Sequence, residues 1–136
     1  MHLLSLIALL GLIPVLQNFD ASLAAARAHA HPLVLYVSRS DCTFCRAFEQ
    51  DVLGPLVKSE VFAGKVRFRE LIMDKDPAAS ALAQRLDVHV TPTLIFLDGH
   101  GREVSRRILG YNRNEFFGYY LERAVTQAIE RTELAN

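Results

Sequence analysis

Residue types that mark several special classes of protein are scarce in this sequence. Tryptophan is absent and only 2 of the 136 residues are cysteine, which excludes a disulfide-rich scaffold. Two cysteines also cannot supply an all-thiolate zinc site, which needs more sulfur ligands. Lys and Arg together number 15, as do Asp and Glu, so the formal net charge is +0. Because a neutral chain has no broad attraction for polyanions, we expect no nucleic-acid partner.

Long apolar runs are also rare, with one exception at the N-terminus. Residues 3–16 are almost wholly apolar, but this run is shorter than the ~20 residues that a membrane-spanning helix needs. It is typical of the apolar part of a signal peptide, although no Lys or Arg precedes it. An uncleaved short anchor and a buried helix of the domain are the alternatives.

The rest of the chain has no repeat, low-complexity tract or block of like charges, and its length suits one domain with one sizeable core. We therefore predict a signal peptide or short membrane anchor over residues 1–18 and one domain over residues 19–136. The leader predicts a periplasmic or otherwise exported protein, held at the membrane if the anchor is not cleaved.

Hydrophobic patterning predicts an α/β domain in the order helix, strand, helix, strand, helix, strand, strand, helix. Two strands joined by a helix form a parallel βαβ unit, and a later hairpin closes the sheet. The predicted architecture is a central mixed four-stranded sheet flanked by helices. The predicted strands are Leu33–Val37, Val66–Met73, Thr93–Leu97 and Glu103–Leu109.

Polar residues and prolines predict where the helices begin and end. The first helix covers Phe19–Ala30, with Asp20 or Ser22 as its cap. A second helix begins at the cysteines and is bent or interrupted at Gly54-Pro55, and a third begins after Asp76. The last helix follows Asn112–Glu115, which has the spacing of a capping box.

Helical spacing also predicts which side chains face the core. The predicted buried residues of the second helix are Cys45, Phe48, Val52 and Leu56. Those of the last helix are Phe117, Leu121, Ala124 and Ala128.

The two cysteines form a Cys-x-x-Cys motif directly after a buried strand and at the start of a helix. The free amides and the positive dipole end of a helix N-terminus favour a thiolate at Cys42. Cys45, one turn later, is then within bonding reach. A thiolate at Cys42 can attack a substrate disulfide, and Cys45 can resolve the mixed disulfide that results. The motif alone is a weak signal, but this setting makes it a strong one.

Four features together resemble the thioredoxin superfamily. They are the strand Leu33–Val37, the motif Cys42–Cys45, the segment Val90–Thr93, and Gly110-Tyr111 before a final helix. The chain is most similar to exported bacterial thioredoxin-like proteins, including those linked to periplasmic sulfur oxidation and disulfide reduction.

The resemblance implies roles for residues outside the cysteine pair. It implies that the Thr91-Pro92 peptide bond is cis, that this loop lies against the cysteines, and that the Thr91 backbone pairs with the substrate. We therefore expect Thr91 and Pro92 to bind substrate, together with Thr43 and Phe44 between the cysteines.

The chain departs from the family pattern close to the cysteines. Tyr36 stands where thioredoxins keep a buried aspartate, Asp41 replaces the usual tryptophan, and Glu70 replaces a lysine on the neighbouring strand. Glu70 either replaces the missing carboxylate from across the sheet or is an ordinary surface or strand-end glutamate. Proton handling and redox potential therefore cannot be copied from thioredoxin.

Charged residues beside the motif are candidates for tuning the thiol pKa. Arg39 and Arg46 would lower it, Asp41 would oppose them, and each is otherwise a solvated charge. Arg46 stands where the family usually has a lysine or arginine. Together with Glu70, the two arginines are the candidate tuning residues.

The function that these residues predict is thiol–disulfide exchange on exported proteins. It requires no cofactor beyond the redox-active Cys42–Cys45 disulfide and no metal. The expected partners are protein thiols or disulfides and a membrane or soluble thiol reductant, and we expect a monomer. One alternative is a copper-binding or copper-transfer module that uses both cysteines and a histidine. Another is a non-catalytic interaction domain that keeps only the fold. Separately, His89 is a candidate site residue because it is close in sequence to Pro92.

Overall fold

The computed structural model describes residues 12–135. Their secondary structure follows the predicted order of helices and strands. The elements are α1 (Phe19–His29), β1 (Leu33–Ser38), α2 (Thr43–Phe48), a π-helical turn (Glu49–Leu53), α3 (Gly54–Ser59), β2 (Arg67–Ile72), α4 (Pro77–Arg85), β3 (Thr93–Leu97), β4 (Glu103–Leu109) and α5 (Phe117–Ala135).

The four strands form one mixed sheet in the order β2-β1-β3-β4. β1 runs parallel to β2 and antiparallel to β3, and β4 runs antiparallel to β3. All six residues of β1 are buried because neighbouring strands and helices cover both of its faces. The predicted fold class, a thioredoxin fold with a mixed four-stranded sheet between helices, is confirmed.

A hydrophobic core lies on each face of the sheet. Val34 and Tyr36 of β1 belong to the core that packs against α2, α3 and α5. Leu33 and Leu35 point to the other face and belong to the core that includes residues of α1 and α4. The cysteines are therefore positioned by the first core, which includes Cys45 and Phe48.

The first helix begins at Phe19 as predicted, but its cap lies two positions before Asp20 and four before Ser22, the two predicted caps. Asn18 has extended backbone angles, and its side-chain oxygen accepts a hydrogen bond from the Ala21 amide at 2.8 Å. The predicted caps, Asp20 and Ser22, instead lie inside the helix. Aspartate is favoured within the first turn as well as at the cap, because it interacts favourably with the helix dipole. Asp20 in the sequence therefore did not identify the capping residue.

Part of the predicted leader packs against the domain. Backbone hydrogen bonds join residues 14 and 16 to Glu70, and the side chains of Ile13 and Leu16 are buried in the two cores. Residues 1–11 lie outside the described residues, so the leader or anchor stays a prediction. Within residues 12–135, none of the helices combines the length and the apolar character that a membrane crossing requires.

The helix that follows the cysteines continues through Gly54-Pro55 because a wider, π-helical turn precedes the proline. The Gly54 amide donates to the Glu49 carbonyl five residues back, which creates the π-helical turn directly before Pro55. Proline has no N–H to donate, so the chain loses one α-helical hydrogen bond here in any case. The extra residue rotates the inward face, so that Leu53 is fully buried and the predicted Val52 only partly.

The last helix begins later than predicted and without a capping box. The Asn112 side chain accepts from the Asn114 amide, and the Asn114 side chain accepts from the Phe116 amide. These two asparagine turns satisfy the backbone before the helix begins at Phe117. The inward stripe contains Val125 in place of the predicted Ala124, which is partly buried.

The hairpin between β3 and β4 is held by a buried aspartate. Asp98 accepts from the amides of His100 and Arg102 at 2.9 and 3.0 Å, and from Arg102 Nε at 2.8 Å. Gly99 lies against α1, where its carbonyl accepts from Arg27 Nη1 at 2.7 Å. A Cβ atom at Gly99 would lie 2.5 Å from the Arg27 Cα, so the helix and the hairpin meet at a position that only glycine fits.

Candidate active site

The two cysteines lie where the central strand passes into α2. Cys42 is the residue that caps α2, and its Sγ accepts a hydrogen bond from the Cys45 amide at 3.1 Å. Cys42 and Cys45 form a disulfide. Cys42 is partly exposed, whereas Cys45 is fully buried in the core. A partner can therefore reach the first sulfur of the pair more readily than the second.

The loop before β3 lies against the exposed sulfur. Thr91 Oγ1 donates to Cys42 Sγ at 3.3 Å, so the two segments meet although 49 positions separate them. The Thr91-Pro92 peptide bond is cis. The Pro92 carbonyl accepts from the Gly110 amide at 2.7 Å, which joins this loop to the end of β4. The structure thus brings the predicted Thr91 and Pro92 together with Cys42.

Exposed apolar side chains flank these polar contacts. Phe44, between the cysteines, is 57% exposed, and the neighbouring Thr43 is exposed as well. Val90 directly precedes Thr91, and Leu109 pairs with Thr93 in the sheet, and both are more than 40% exposed. Val90 and Leu109 were not predicted to be site residues. Their positions beside Thr91 and at a strand end were the available signals, but only the sheet register places Leu109 near this loop.

Both candidate tuning arginines are paired with carboxylates. Arg39 Nε lies 3.7 Å from Asp41, and Arg46 Nη2 lies 2.9 Å from Glu49. The Ser40 amide donates to Asp74 at 3.0 Å and its hydroxyl also bonds to that carboxylate, which fixes the loop before Cys42. These bonds hold the pKa of Asp74 below its ordinary value.

Tyr36 occupies the central position where the family has a carboxylate. Its hydroxyl donates to Glu49 Oε2 at 2.7 Å and lies 3.3 Å from the Cys45 carbonyl oxygen. Burial raises the pKa of Tyr36 strongly, and the hydrogen bond to Glu49 and the charge of that carboxylate raise it further. The hydroxyl therefore stays protonated and acts as a donor. The role of Glu49 was missed, although its i+4 spacing from Cys45 was a usable signal.

Glu70 is a half-buried carboxyl within β2 and not a strand-end residue. It pairs with Tyr36 across the sheet, and its Oε2 accepts from the Ser38 hydroxyl at 2.5 Å. Burial raises the pKa of Glu70, and the nearby charge of Glu49 raises it as well. The Ser38 hydrogen bond and the charge of Arg46 act in the opposite direction but do not outweigh burial. Two carboxyl groups and a tyrosine thus lie behind the cysteines.

His89, the histidine close in sequence to Pro92, has a carboxylate as its hydrogen-bond partner. His89 is mostly exposed, and its Nε2 lies 2.6 Å from Asp87. In the part of the chain from residue 12 to residue 135, no three His, Cys, Asp or Glu side chains are grouped as a metal ion would need. The chemistry available at the site is that of a dithiol and a disulfide.

Comparison with known proteins places this arrangement in a family. Residues 19–124 match the description of the thioredoxin-like domain. The chain is 28% identical over 103 residues to the thiol:disulfide interchange protein DsbD of Cronobacter sakazakii, and 27% identical over 99 residues to that of Escherichia coli K12. These matches cover 75% and 72% of this chain but only 18% of each relative, so the chain corresponds to a small part of those proteins.

Solved structures show the same fold. A DsbH oxidoreductase superposes with a TM-score of 0.66 over 87% of both chains, at 19% sequence identity. Oxidised thioredoxin O2 from Arabidopsis thaliana superposes with a TM-score of 0.60 over 83% of this chain and 91% of that chain, at 22% identity.

Proposed function

This chain belongs to the thioredoxin-like domain family, and we propose that it exchanges disulfides with exported proteins. It has the fold and the Cys-x-x-Cys disulfide of a thiol–disulfide oxidoreductase. One observation carries the proposal. The partly exposed Cys42 caps a helix and accepts a hydrogen bond from Thr91, while its partner Cys45 is fully buried. This asymmetry gives each sulfur a different role.

The reaction starts from the reduced pair. The Cys42 thiolate attacks one sulfur of a substrate disulfide, forms a mixed disulfide and expels the other substrate sulfur as a thiolate that takes up a proton. Cys45 then loses its proton and attacks Cys42 Sγ. That step breaks the mixed disulfide, releases the second substrate thiol and leaves the Cys42–Cys45 disulfide. Two electrons pass from the protein to the substrate, and the reverse sequence oxidises a dithiol.

Substrate would bind along the surface beside Cys42. We propose that an extended segment lies across Thr91 and Pro92, as the family resemblance implies, with Thr43 and Phe44 on its other side. The exposed Phe44 supports this role because it offers apolar contact area next to the reacting sulfur.

Proton transfer from the buried cysteine is the least family-like part of the site. We propose that Glu49 and Glu70 take the place of the family's aspartate as acceptors. Glu49 follows Cys45 by one helical turn and shares the Tyr36 hydroxyl with the Cys45 carbonyl. The pairing of Arg46 with Glu49 and of Arg39 with Asp41 weakens the positive field that either arginine exerts on Cys42.

Location and partners follow from the apolar run and from the relatives. The proposal is an exported protein whose N-terminal apolar segment is either a cleaved signal peptide or a membrane anchor, and which a membrane or soluble thiol reductant recycles. It works as a monomer without a cofactor other than its own disulfide. Support comes from residues 3–16 and from relatives that are named thiol:disulfide interchange proteins.

Trapping experiments test the roles of the two sulfurs. Cys45→Ser should accumulate mixed disulfides with substrate because nothing resolves them, whereas Cys42→Ser should accumulate none. Both variants should lose insulin-reducing activity. The measurement is gel mobility with and without reductant, with wild type as the control. Equal trapping by both variants, or trapping by Cys42→Ser alone, would contradict the assignment.

Two further measurements separate the alternatives. Copper titration of the reduced protein should show no tight site, and tight binding without insulin reduction would favour the metal module. The reduction potential of the Cys42–Cys45 pair then shows whether the protein works as a reductant or as an oxidant. Values near about −270 mV are typical of thioredoxin, and values near about −120 mV are typical of a strong oxidant.

A further inference from the structure

A concave surface lies between β4 and α5, on the edge strand of the sheet. It encloses about 490 Å³. Six side chains that line it define the cationic groove: Arg106, Arg107, Ile108, Tyr119, Tyr120 and Arg123. No acidic residue is among the residues that line it. Since β4 pairs only with β3, this side of the sheet has no further strand within residues 12–135.

Two hydrogen bonds fix the walls of the cationic groove relative to each other. The Ser105 hydroxyl donates to the Ala124 carbonyl at 2.7 Å, and Arg131 Nη1 donates to the Val104 carbonyl at 2.9 Å. Both bonds join β4 to α5. A groove whose walls are held in this way loses little conformational entropy when a ligand enters it.

The positive charge of the cationic groove is only partly compensated. Arg107 forms a two-pronged pair with Glu103 at 2.9 and 3.0 Å and also donates to the Leu86 carbonyl. Arg106 and Arg123 are exposed, and neither guanidinium group has an ion pair or hydrogen bond within residues 12–135. These two guanidinium groups are therefore available to carboxylates from outside, which they can bind through two parallel hydrogen bonds.

Aromatic rings complete the surface. Tyr119 and Tyr120 are 57% and 58% exposed, and their ring centroids lie 5.6 Å apart. Exposed tyrosines beside arginines are the composition that is enriched where proteins bind each other, since each ring offers apolar area and a hydroxyl donor.

We propose that the cationic groove binds an acidic segment of a partner protein. Carboxylates of the segment pair with Arg106 and Arg123, and its apolar side chains lie against the two tyrosine rings. The neutral net charge of the chain disfavours an anionic membrane surface as the main ligand, since no broad positive field extends beyond these arginines. The neutral net charge of the chain disfavours nucleic acid. Binding does not require redox chemistry, so this proposal stands apart from the proposed function.

The β4 edge also connects the cationic groove to the active site. Ile108 lines the groove, and the next residue, Leu109, pairs with Thr93 beside Pro92. A partner held by its acidic segment would therefore have other parts of its chain close to Cys42.

Peptide binding to the full chain tests the proposal. The probe is a fluorescein-labelled decapeptide in which Glu alternates with Val and Tyr, and the comparison probe has Lys at every Glu position. Binding is followed by fluorescence anisotropy. We expect the acidic probe to bind and the basic probe not to bind, with affinity falling as salt is added because these charges are exposed to solvent.

Matched variants locate the binding site. Arg106→Glu combined with Arg123→Glu should weaken binding of the acidic probe roughly tenfold or more, since attraction at two positions becomes repulsion. Lys58→Glu combined with Lys75→Glu changes the net charge equally at exposed positions outside the groove and should have little effect. Tyr119→Ser combined with Tyr120→Ser should weaken binding without changing the salt dependence. Insulin reduction should be unchanged in all three variants, which shows that they fold.

Three results would overturn the proposal. Equal weakening by the arginine and lysine variants would show a general charge effect and no site. Absence of binding to wild type would show that the surface is not a peptide site. Vesicles containing phosphatidylglycerol that bind through Arg106 and Arg123, when the acidic probe does not, would assign the surface to a membrane.

Discussion

At the scale of single residues, the site differs from its family in where the acidic groups are attached. A tyrosine at position 36 brings a hydroxyl to the centre of the sheet, and that hydroxyl holds Glu49 from the helix after the cysteines. Glu70 enters from the neighbouring strand and is held by Ser38. Two carboxyls at the margin of the core thus lie beside the tyrosine that stands where the family has an aspartate. Each carboxyl accepts from a hydroxyl of β1, Glu49 from Tyr36 and Glu70 from Ser38.

Glu70 should reduce stability at neutral pH. Its pKa is raised in the folded state, so the folded protein holds this proton more tightly than the unfolded chain does. Stability that depends on the protonated carboxyl is fully present below the unfolded pKa and is lost as pH rises through the raised one. We expect Glu70→Gln, which can still accept from Ser38, to be more stable than wild type at pH 7. The difference should shrink as pH falls through the raised pKa of Glu70 and should be gone below about 4, the ordinary range for glutamate.

Urea unfolding at a series of pH values measures this effect. Glu122→Gln is the matched control because Glu122 is exposed and its carboxylate has no hydrogen bond or ion pair within residues 12–135. A stability difference for Glu70→Gln that does not vary with pH would show that the carboxyl is not perturbed by burial.

At the scale of elements, the β3–β4 hairpin depends on one buried carboxylate. Burial disfavours the charged form of Asp98, but hydrogen bonds from the Arg102 and His100 amides and from the Arg102 side chain outweigh it and hold the pKa below its ordinary value. The stability that this group contributes is therefore present above the unfolded pKa and is lost as pH falls through the lowered one.

Asp98→Ala should destabilise the protein by about 2 kcal/mol, because two backbone amides of the turn lose their acceptor. Asp98→Asn keeps one acceptor oxygen and should cost less. Thermal unfolding of both variants at neutral pH and near pH 3 measures the effect. The gap to wild type should narrow in acid, and an Asp98→Asn variant less stable than Asp98→Ala would be inconsistent with these contacts.

The elements also show which parts of the fold can be predicted from the sequence. The strands were predictable because buried runs such as Leu33–Val37 and Thr93–Leu97 are apolar whatever their neighbours are. Helix ends were less so, because Asn18, Asp20 and Ser22 are all good caps and only backbone geometry selects one. The π-helical turn could not be predicted, since one inserted residue leaves the hydrophobic pattern nearly unchanged.

The candidate site shows the same division. A contiguous motif identifies Cys42 and Cys45, and a short segment identifies Thr91 and Pro92. Helical spacing places Glu49 one turn after Cys45, but its bond to Tyr36 could not be predicted, because that contact depends on how the helix is rotated against the sheet. The pairing of each candidate tuning arginine with a carboxylate likewise required side-chain positions.

At the scale of the whole molecule, two surfaces have proposed roles. The cysteine site lies at the end of β1, and the cationic groove lies along β4. The proposed export would place both surfaces outside the cytoplasm, since residues 3–16 are the proposed export signal. A reporter fused after Asn136 that is active only when exported should be active. A cytoplasm-only reporter at the same position should be inactive, and replacing Leu6 and Leu9 by Arg should reverse both results. Activity of the cytoplasmic reporter in the wild-type fusion would contradict export.

Gly99 lies against α1, and this contact limits which substitutions the hairpin can accept during evolution. An alanine there would push against the backbone of Arg27, which cannot move without shifting α1 from the core. The adjacent His100 is exposed and meets no such limit. In a saturation library selected for folded protein, position 99 should therefore keep glycine almost alone while position 100 accepts most residues. A library that enriches alanine or serine at position 99 would show that helix and hairpin separate easily. Among descendants of this chain, a substitution at residue 27 cannot remove the clash with a side chain at position 99, because the Cα and N atoms that it would meet are present in every amino acid.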